Sequence, residues 1–272
     1  MILRLNTLII VVLLAFCFSC AEKEQQPFSF VQLCDTQLGM GGYAHDIMTF
    51  KQAVVQINEL NPDFAVICGD LVHNASDSSY SDFLEILETL NVPCHLAPGN
   101  HDVGNIPNDT TLNYYRETIG KDYFDFQNKG YSFIVTNTQL WKVDIGSESA
   151  KHDKWFEETL KNQEAKKLPI FVIGHYPIFL EDPEEEEKYY NIPPIKRKWI
   201  LDLFKSNNVL AYLSGHTHKL LVNNYENIQF VSGETTSKNF DERPYGFRLW
   251  DVSSDTIQHQ FISLELSKVE KE

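Results

Sequence analysis

Short apolar runs, rich in β-branched or aromatic residues, alternate along the chain with segments whose apolar residues return every three or four positions. The runs at 28–34, 64–68, 94–97, 131–136, 170–173 and 209–213 predict strands. Between the first two, Ile47, Phe50, Val54 and Ile57 recur at helical spacing. The Asn61-Pro62 pair predicts the stop, because a residue before proline is pushed out of the helical region. Phe83, Leu87 and Leu90 repeat the spacing ahead of Val92-Pro93, and further helices are expected over 152–165 and 195–206. Runs at 228–231, 246–252 and 257–263 follow with no clear helix between them and predict antiparallel strands closing a second sheet. The fold class is α/β, and ligands in such sheets gather beyond the carboxyl ends of the strands.

The first residues follow another pattern. A weakly basic start at 1–4 leads into an apolar run over 5–18, too short for a membrane span of about 20 apolar residues. It reads as a signal peptide over 1–19. Phe18-Ser19-Cys20 and the polar stretch after it resemble a bacterial lipoprotein signal, which implies lipidation of Cys20, a lipidated linker over 20–27 and one domain over 28–268. Cys17 stands where such signals prefer Leu, so a plainly cleaved signal and an uncleaved anchor are the alternatives. The expected location is exported and membrane-anchored, periplasmic or at the cell surface.

Composition narrows the function. A formal charge of −15, with only Lys196, Arg197 and Lys198 clustered, excludes binding to nucleic acid through basic side chains. An acidic protein that handles phosphate must draw positive charge from elsewhere, and bound cations are the obvious source. Cys34, Cys68 and Cys94 are odd in number and sit in apolar runs, so they read as buried free thiols.

The predicted strands end in Asp35-Thr36-Gln37, Gly69-Asp70, Gly99-Asn100-His101-Asp102, Gly174-His175 and Gly215-His216-Thr217-His218. A lone Asp or His at a strand end is usually a cap or a satisfied core group. Five ends carrying carboxylate, amide and imidazole groups point instead to a shared metal site.

In this order the residues resemble the calcineurin-like metallophosphoesterases, whose pattern is D-x-H, GD, GNH[DE], a single H and GHxH. The likeness runs from about residue 31 to 266. It implies a β-sandwich of two mixed sheets flanked by helices, with the active site at the strand carboxyl ends. It also implies that Asp35, Gln37, Asp70 and His218 hold one divalent metal and Asp70, Asn100, His175 and His216 a second, with Asp70 shared. One carboxylate can neutralise two cations about 3.5–4 Å apart. Where most of the family has His this chain has Gln37, whose harder amide oxygen favours Mn, with Fe or Zn as alternatives; the other reading is that Gln37 does not ligate. Asp35-Thr36-Gln37-Leu38-Gly39, Cys68-Gly69-Asp70-Leu71-Val72-His73, Gly99-Asn100-His101-Asp102-Val103-Gly104-Asn105, Tyr123-Phe124-Asp125-Phe126 and Pro244-Tyr245-Gly246-Phe247-Arg248 are similar to a branch of protein serine/threonine phosphatases.

The resemblance implies hydrolysis of a phosphate ester by a water activated between the two ions, with His101 protonating the departing alkoxide and Asp102 orienting its ring. Asn137 and His73 are further substrate-contact candidates, and His45, Trp141 and Tyr176 candidates for the pocket rim. Residues 184–187, four consecutive glutamates, read either as part of a lid or as a solvated loop. A phosphomonoesterase is the first reading, with phosphoproteins among its candidate substrates. The alternatives are a phosphodiesterase acting on nucleotides or lipid-linked phosphates and a non-catalytic metal-binding lipoprotein. The oligomeric state is not encoded in any of these features.

Overall fold

The structure is a computed structural model describing residues 25–266. The predicted signal peptide over 1–19 and Cys20 lie outside the described residues. Among the described residues no helix is long and apolar enough to cross a membrane.

In chain order the elements are β1 (Phe28–Leu33), α1 (Tyr43–Leu60), β2 (Phe64–Cys68), α2 (Asp77–Leu87), β3 (Cys94–Ala97), α3 (Asn100–Val103), α4 (Asp109–Thr118), β4 (Phe124–Asn128) and β5 (Tyr131–Val135). They continue with α5 (Gln139–Lys142), α6 (Ser147–Ala165), β6 (Ile170–Ile173), α7 (Pro194–Ser206), β7 (Val209–Ser214), β8 (Leu221–Tyr225), β9 (Ile228–Ser232), β10 (Gly246–Val252) and β11 (Ile257–Ser263). Asn61 ends α1 in the left-handed conformation, its N–H donating to the Ile57 carbonyl, so the expected stop falls where the Asn-Pro pair puts it.

Two mixed sheets result, in the orders β11-β10-β1-β2-β3 and β4-β5-β6-β7-β9-β8. Period two in β1 sends Phe28 and Phe30 into the layer between the sheets and Val31 and Leu33 into the layer shared with α1 and α2. On the far side, Ile134, Val172, Tyr212 and Phe230 pack with Phe156 of α6 and Ile200 and Phe204 of α7. The central strands are thus buried on both faces, which is why they read as unbroken apolar runs.

Register explains the interior. Phe30 lies beside Phe64 in β2 and Trp250 in β10, and the three rings stack along the sheet at 5.1 and 5.6 Å. Phe133 and Phe171 of the other sheet meet Phe30 edge-on at 5.5 and 5.6 Å. Each such pair contributes about 0.5–1.5 kcal/mol beyond its buried area.

The late strands depart from expectation. Only β9 belongs to the second sheet, where it runs parallel to β7, because the antiparallel hairpin with β8 turns the chain back without a helix. The β10–β11 hairpin joins the first sheet, antiparallel to β1, and Trp250 Nε1 donates to Gln32 Oε1 at 3.0 Å. Strands β4 and β8 are edge strands with alternating half-buried and exposed positions, and their polar residues keep them from standing out as apolar runs.

Replacing Phe30 with Ala removes the ring common to five aromatic contacts. The expected loss is about 3–5 kcal/mol of unfolding free energy, read as a lower denaturant midpoint at unchanged slope.

Candidate active site

Strands β1, β2 and β3 run parallel, as do β6 and β7, and the residues that follow them meet above the junction of the two sheets. The shared point is the buried Asp70. Its Oδ1 accepts the His101 backbone N–H at 2.9 Å, and its Oδ2 lies 3.3 Å from His175 Nε2 and 3.2 Å from Gln37 Nε2. Burial opposes the charge on Asp70, but His175, with His101 and His216 behind it, holds the carboxyl well below its usual range. Burial likewise works against a charge on His175, and Asp70 and Asp35 overcome it, raising that ring to about 9.

His175 and His218 are each aimed by the other ring nitrogen. His175 Nδ1 donates to the Cys68 carbonyl at 2.8 Å, and Thr138 Oγ1 accepts the backbone N–H groups of His175 and Tyr176 at 3.2 and 3.1 Å. His175 Nε2 is therefore turned to Asp70, to Asn100 Oδ1 at 3.1 Å and to His216 Nδ1 at 3.1 Å. Asn100 is itself oriented, since its Nδ2 donates to Asn105 Oδ1 at 3.2 Å. His218 Nδ1 donates to the Lys238 carbonyl, leaving Nε2 3.5 Å from Asp35 Oδ1, while the Asp35 carboxylate accepts the His216 N–H at 3.0–3.1 Å.

Two groups of donor atoms emerge, Asp70 with His175 and His216, and Asp35 with Asp70 and His218, each within 4.8 Å of one another and all buried. Gln37 Oε1 and His216 Nε2 are buried without a hydrogen-bond partner among the described residues. Lone pairs that face one another in a dry site repel unless a proton or a cation lies among them. Carboxylate, amide and imidazole together suit divalent first-row ions, so the donor set fits a pair of metals. The described cysteines are free; Cys34 and Cys68 are buried, and Cys68 offers the site its carbonyl.

Local backbone makes this convergence possible. Asp35, Gln37, Asp70, His216 and His218 all have positive φ, between 35 and 67°, a region that costs non-glycine residues about 1–3 kcal/mol each and recurs at functional sites. Crowding explains the glycines before the ligands. A Cβ on Gly99 would stand 2.1 Å from Asp70 Oδ1, and one on Gly69, whose φ is +81°, 2.7 Å from His175 Nδ1.

The structure changes several expected roles. Asp102 does not orient the His101 ring: its carboxylate accepts from Gly99 N–H at 2.8 Å and Leu71 N–H at 3.2 Å, bracing the loops. The ring is held instead by the His73 carbonyl, which accepts from His101 Nδ1 at 2.8 Å, and by the His73 ring stacked at 4.7 Å. His73 thus supports His101. Asn137 is fully buried, with Nδ2 donating to Asp122 Oδ2 and Oδ1 accepting from the Gln139 N–H, so its amide is committed inside the fold and not to substrate. Trp141 packs on His152 and Phe156 and is core, not rim. Tyr176 is also buried but backs His216 at 3.9 Å, and His45 bonds Asp46 and packs on Tyr245.

Other site residues escaped the sequence reading. Asp46 is buried and accepts the Gly39 and Gly41 N–H groups, fixing the loop after Gln37. Arg197, 1% exposed, donates to the carbonyls of Ile178, Pro183, Glu185 and Ile192. Lys142 Nζ reaches Glu187 Oε1 and the carbonyls of Lys188 and Asn191, and Glu185 accepts from Asn191 Nδ2. Glu184, Glu186 and Glu187 are exposed, so the acidic run is a solvated loop, anchored at Glu185 and Glu187. It delivers Tyr189 and Tyr190 to within 5.1 and 5.5 Å of the His216 ring.

Fold and site together define a metal-dependent hydrolase of phosphate esters. The calcineurin-like phosphoesterase family model matches residues 28–220, and the chain belongs to that family. It is 32% identical to the serine/threonine-protein phosphatase CPPED1 of Bos taurus over 90% of this chain and 87% of that one. It is also 28% identical to a probable glycerophosphodiester phosphodiesterase of Arcobacter nitrofigilis, over 70% of this chain and 71% of that one. A dimetal phosphatase from Danio rerio shares the fold at a TM-score of 0.67 and 17% identity, covering 86% of this chain and 95% of that one.

Gly99→Ala is expected to push the Asp70 carboxylate aside. The check is calorimetric titration with Mn²⁺: binding weakens by at least about tenfold while the unfolding transition stays cooperative.

Proposed function

We propose that this chain is a phosphomonoesterase in which Asp35, Gln37, Asp70 and His218 hold one divalent ion and Asp70, Asn100, His175 and His216 hold the other. The observation that carries the reading is the pair of buried donor groups sharing Asp70, with His101 tied by its backbone to the same carboxylate. Divalent ions in such positions supply positive charge to the phosphoryl oxygens and lower the pKa of a nucleophilic water. The protein supplies the rest. The His73 carbonyl fixes the His101 tautomer with the proton on Nδ1, so Nε2 is the nitrogen that, once protonated, donates to the departing alkoxide. Tyr176 and the buried strand ends exclude water from around the donors.

The monoester reading is supported by the extent of likeness to the serine/threonine-protein phosphatase, which covers more of the chain than the likeness to the phosphodiesterase does. That second relative is why a diester substrate is the second reading. A screen of phosphomonoesters, phosphopeptides and phosphodiesters decides between them, and activity confined to diesters refutes the first.

Two outcomes follow from the residues. Metal-stripped protein regains most of its activity with Mn²⁺, because Gln37 offers an oxygen where imidazole would favour Zn²⁺; full recovery with Zn²⁺ and none with Mn²⁺ contradicts the role given to Gln37. His101→Ala lowers turnover of alkyl phosphates by about 10²–10⁴-fold and of aryl phosphates, whose leaving groups need less protonation, far less. Equal losses on both would remove His101 from the acid role.

A further inference from the structure

Beside the donor groups lies a cavity of about 370 Å³ lined by Leu180, Tyr190, Thr217, Leu221 and Phe240. One of its lining residues, Thr217, stands between His216 and His218 in the chain. Tyr190 lies 5.5 Å from the His216 ring on one side. On the other, the Phe240 ring stacks on His218 at 4.9 Å and its N–H donates to the His218 carbonyl.

We propose that this groove is the leaving-group subsite, and that it takes phosphate monoesters whose departing alcohol carries an aromatic ring; the proposal rests on the monoesterase reading above. Tyr190 and Phe240 are 40% and 41% exposed, large apolar faces left open next to a buried polar site. Flat rings recover most from such faces, because stacking adds to the burial of apolar area. Glu181 and Lys219 also line the groove, one acidic and one basic, so its lining carries no net formal charge. The volume lies at the lower end of small-ligand pockets and suits one or two fused rings.

Both walls are built in advance. Arg197 clasps the loop bearing Tyr190 through four carbonyls, and Asn223 Nδ2 of β8 donates to the Leu180 carbonyl at 2.9 Å. The opposite loop is pinned where the Lys238 carbonyl accepts from His218 and Leu220 N–H donates to Asp241. A groove held open in this way loses little conformational entropy when a ring enters.

The test compares 2-naphthyl phosphate with glycerol 1-phosphate on the full-length, Mn²⁺-loaded chain. Tyr190→Ala should lower kcat/KM for 2-naphthyl phosphate about tenfold, mainly through KM, and change glycerol 1-phosphate by less than about twofold. Leu221→Trp, which fills the groove, should give the same selective loss. Independently of turnover, 2-naphthylmethylphosphonate should bind about tenfold more tightly than methylphosphonate by calorimetry, an advantage that Tyr190→Ala removes. Equal losses on both esters, or no preference between the phosphonates, overturns the subsite. Turnover of neither monoester by the unaltered protein overturns the monoesterase reading instead, and the phosphonate comparison then decides the subsite by itself.

Discussion

Keeping the Asp70 carboxylate ionised in a dry interior is the constraint on which the remaining structure depends. An unpaired charge at that depth costs several kcal/mol, so every free direction around it has to be filled by a donor or an opposite charge. Those partners come from β1, β3 and β6: Gln37, the His101 N–H and His175. Neither sheet alone has them all. The two must face each other with their strand ends level, and the stacked and edge-on rings around Phe30 fix that spacing.

The same constraint reaches the backbone. Side chains leaving a parallel strand end would diverge, and the left-handed turns at Asp35, Asp70 and His216 bend them back to a common point. Strain of this kind persists only where the surroundings over-determine it. Here they do, through carbonyls of Cys68, His73 and Lys238 that accept from three imidazoles and set the tautomer of each.

Much of this was readable from residue order. Strands buried on both faces carry nearly unbroken apolar runs, so β1, β2, β6 and β7 declared themselves, with the short, half-buried edge strand β3 beside them, and each ended in the group it delivers. The partition of β9, β10 and β11 between the sheets was not readable, because pairing partners far apart in sequence leave no local periodicity. Asp102 misled for a related reason: adjacency to His101 says nothing about direction, and in the short helix α3 the two side chains point to different neighbours. Arg197 was hidden as one member of a basic triplet, though a positive charge in a run of otherwise helical apolar spacing is a signal that its guanidinium has backbone to satisfy. The glycines before Asp70, Asn100 and His216 carry no chemistry that marks them in the sequence, yet they let one strand end come within contact of the next.

The place of β10 beside β1 has a consequence for synthesis on the ribosome. Residues 28–33 are made well before their antiparallel neighbour at 246–252, and Gln32 waits for Trp250 across more than 200 intervening residues. Until then one border of the first sheet stays open. At about 5–20 residues per second, nascent chains of this protein therefore pass through that interval with one edge of β1 open, the other being paired to β2. A chaperone that shields extended segments would act on that open edge during the interval before the β10–β11 hairpin arrives.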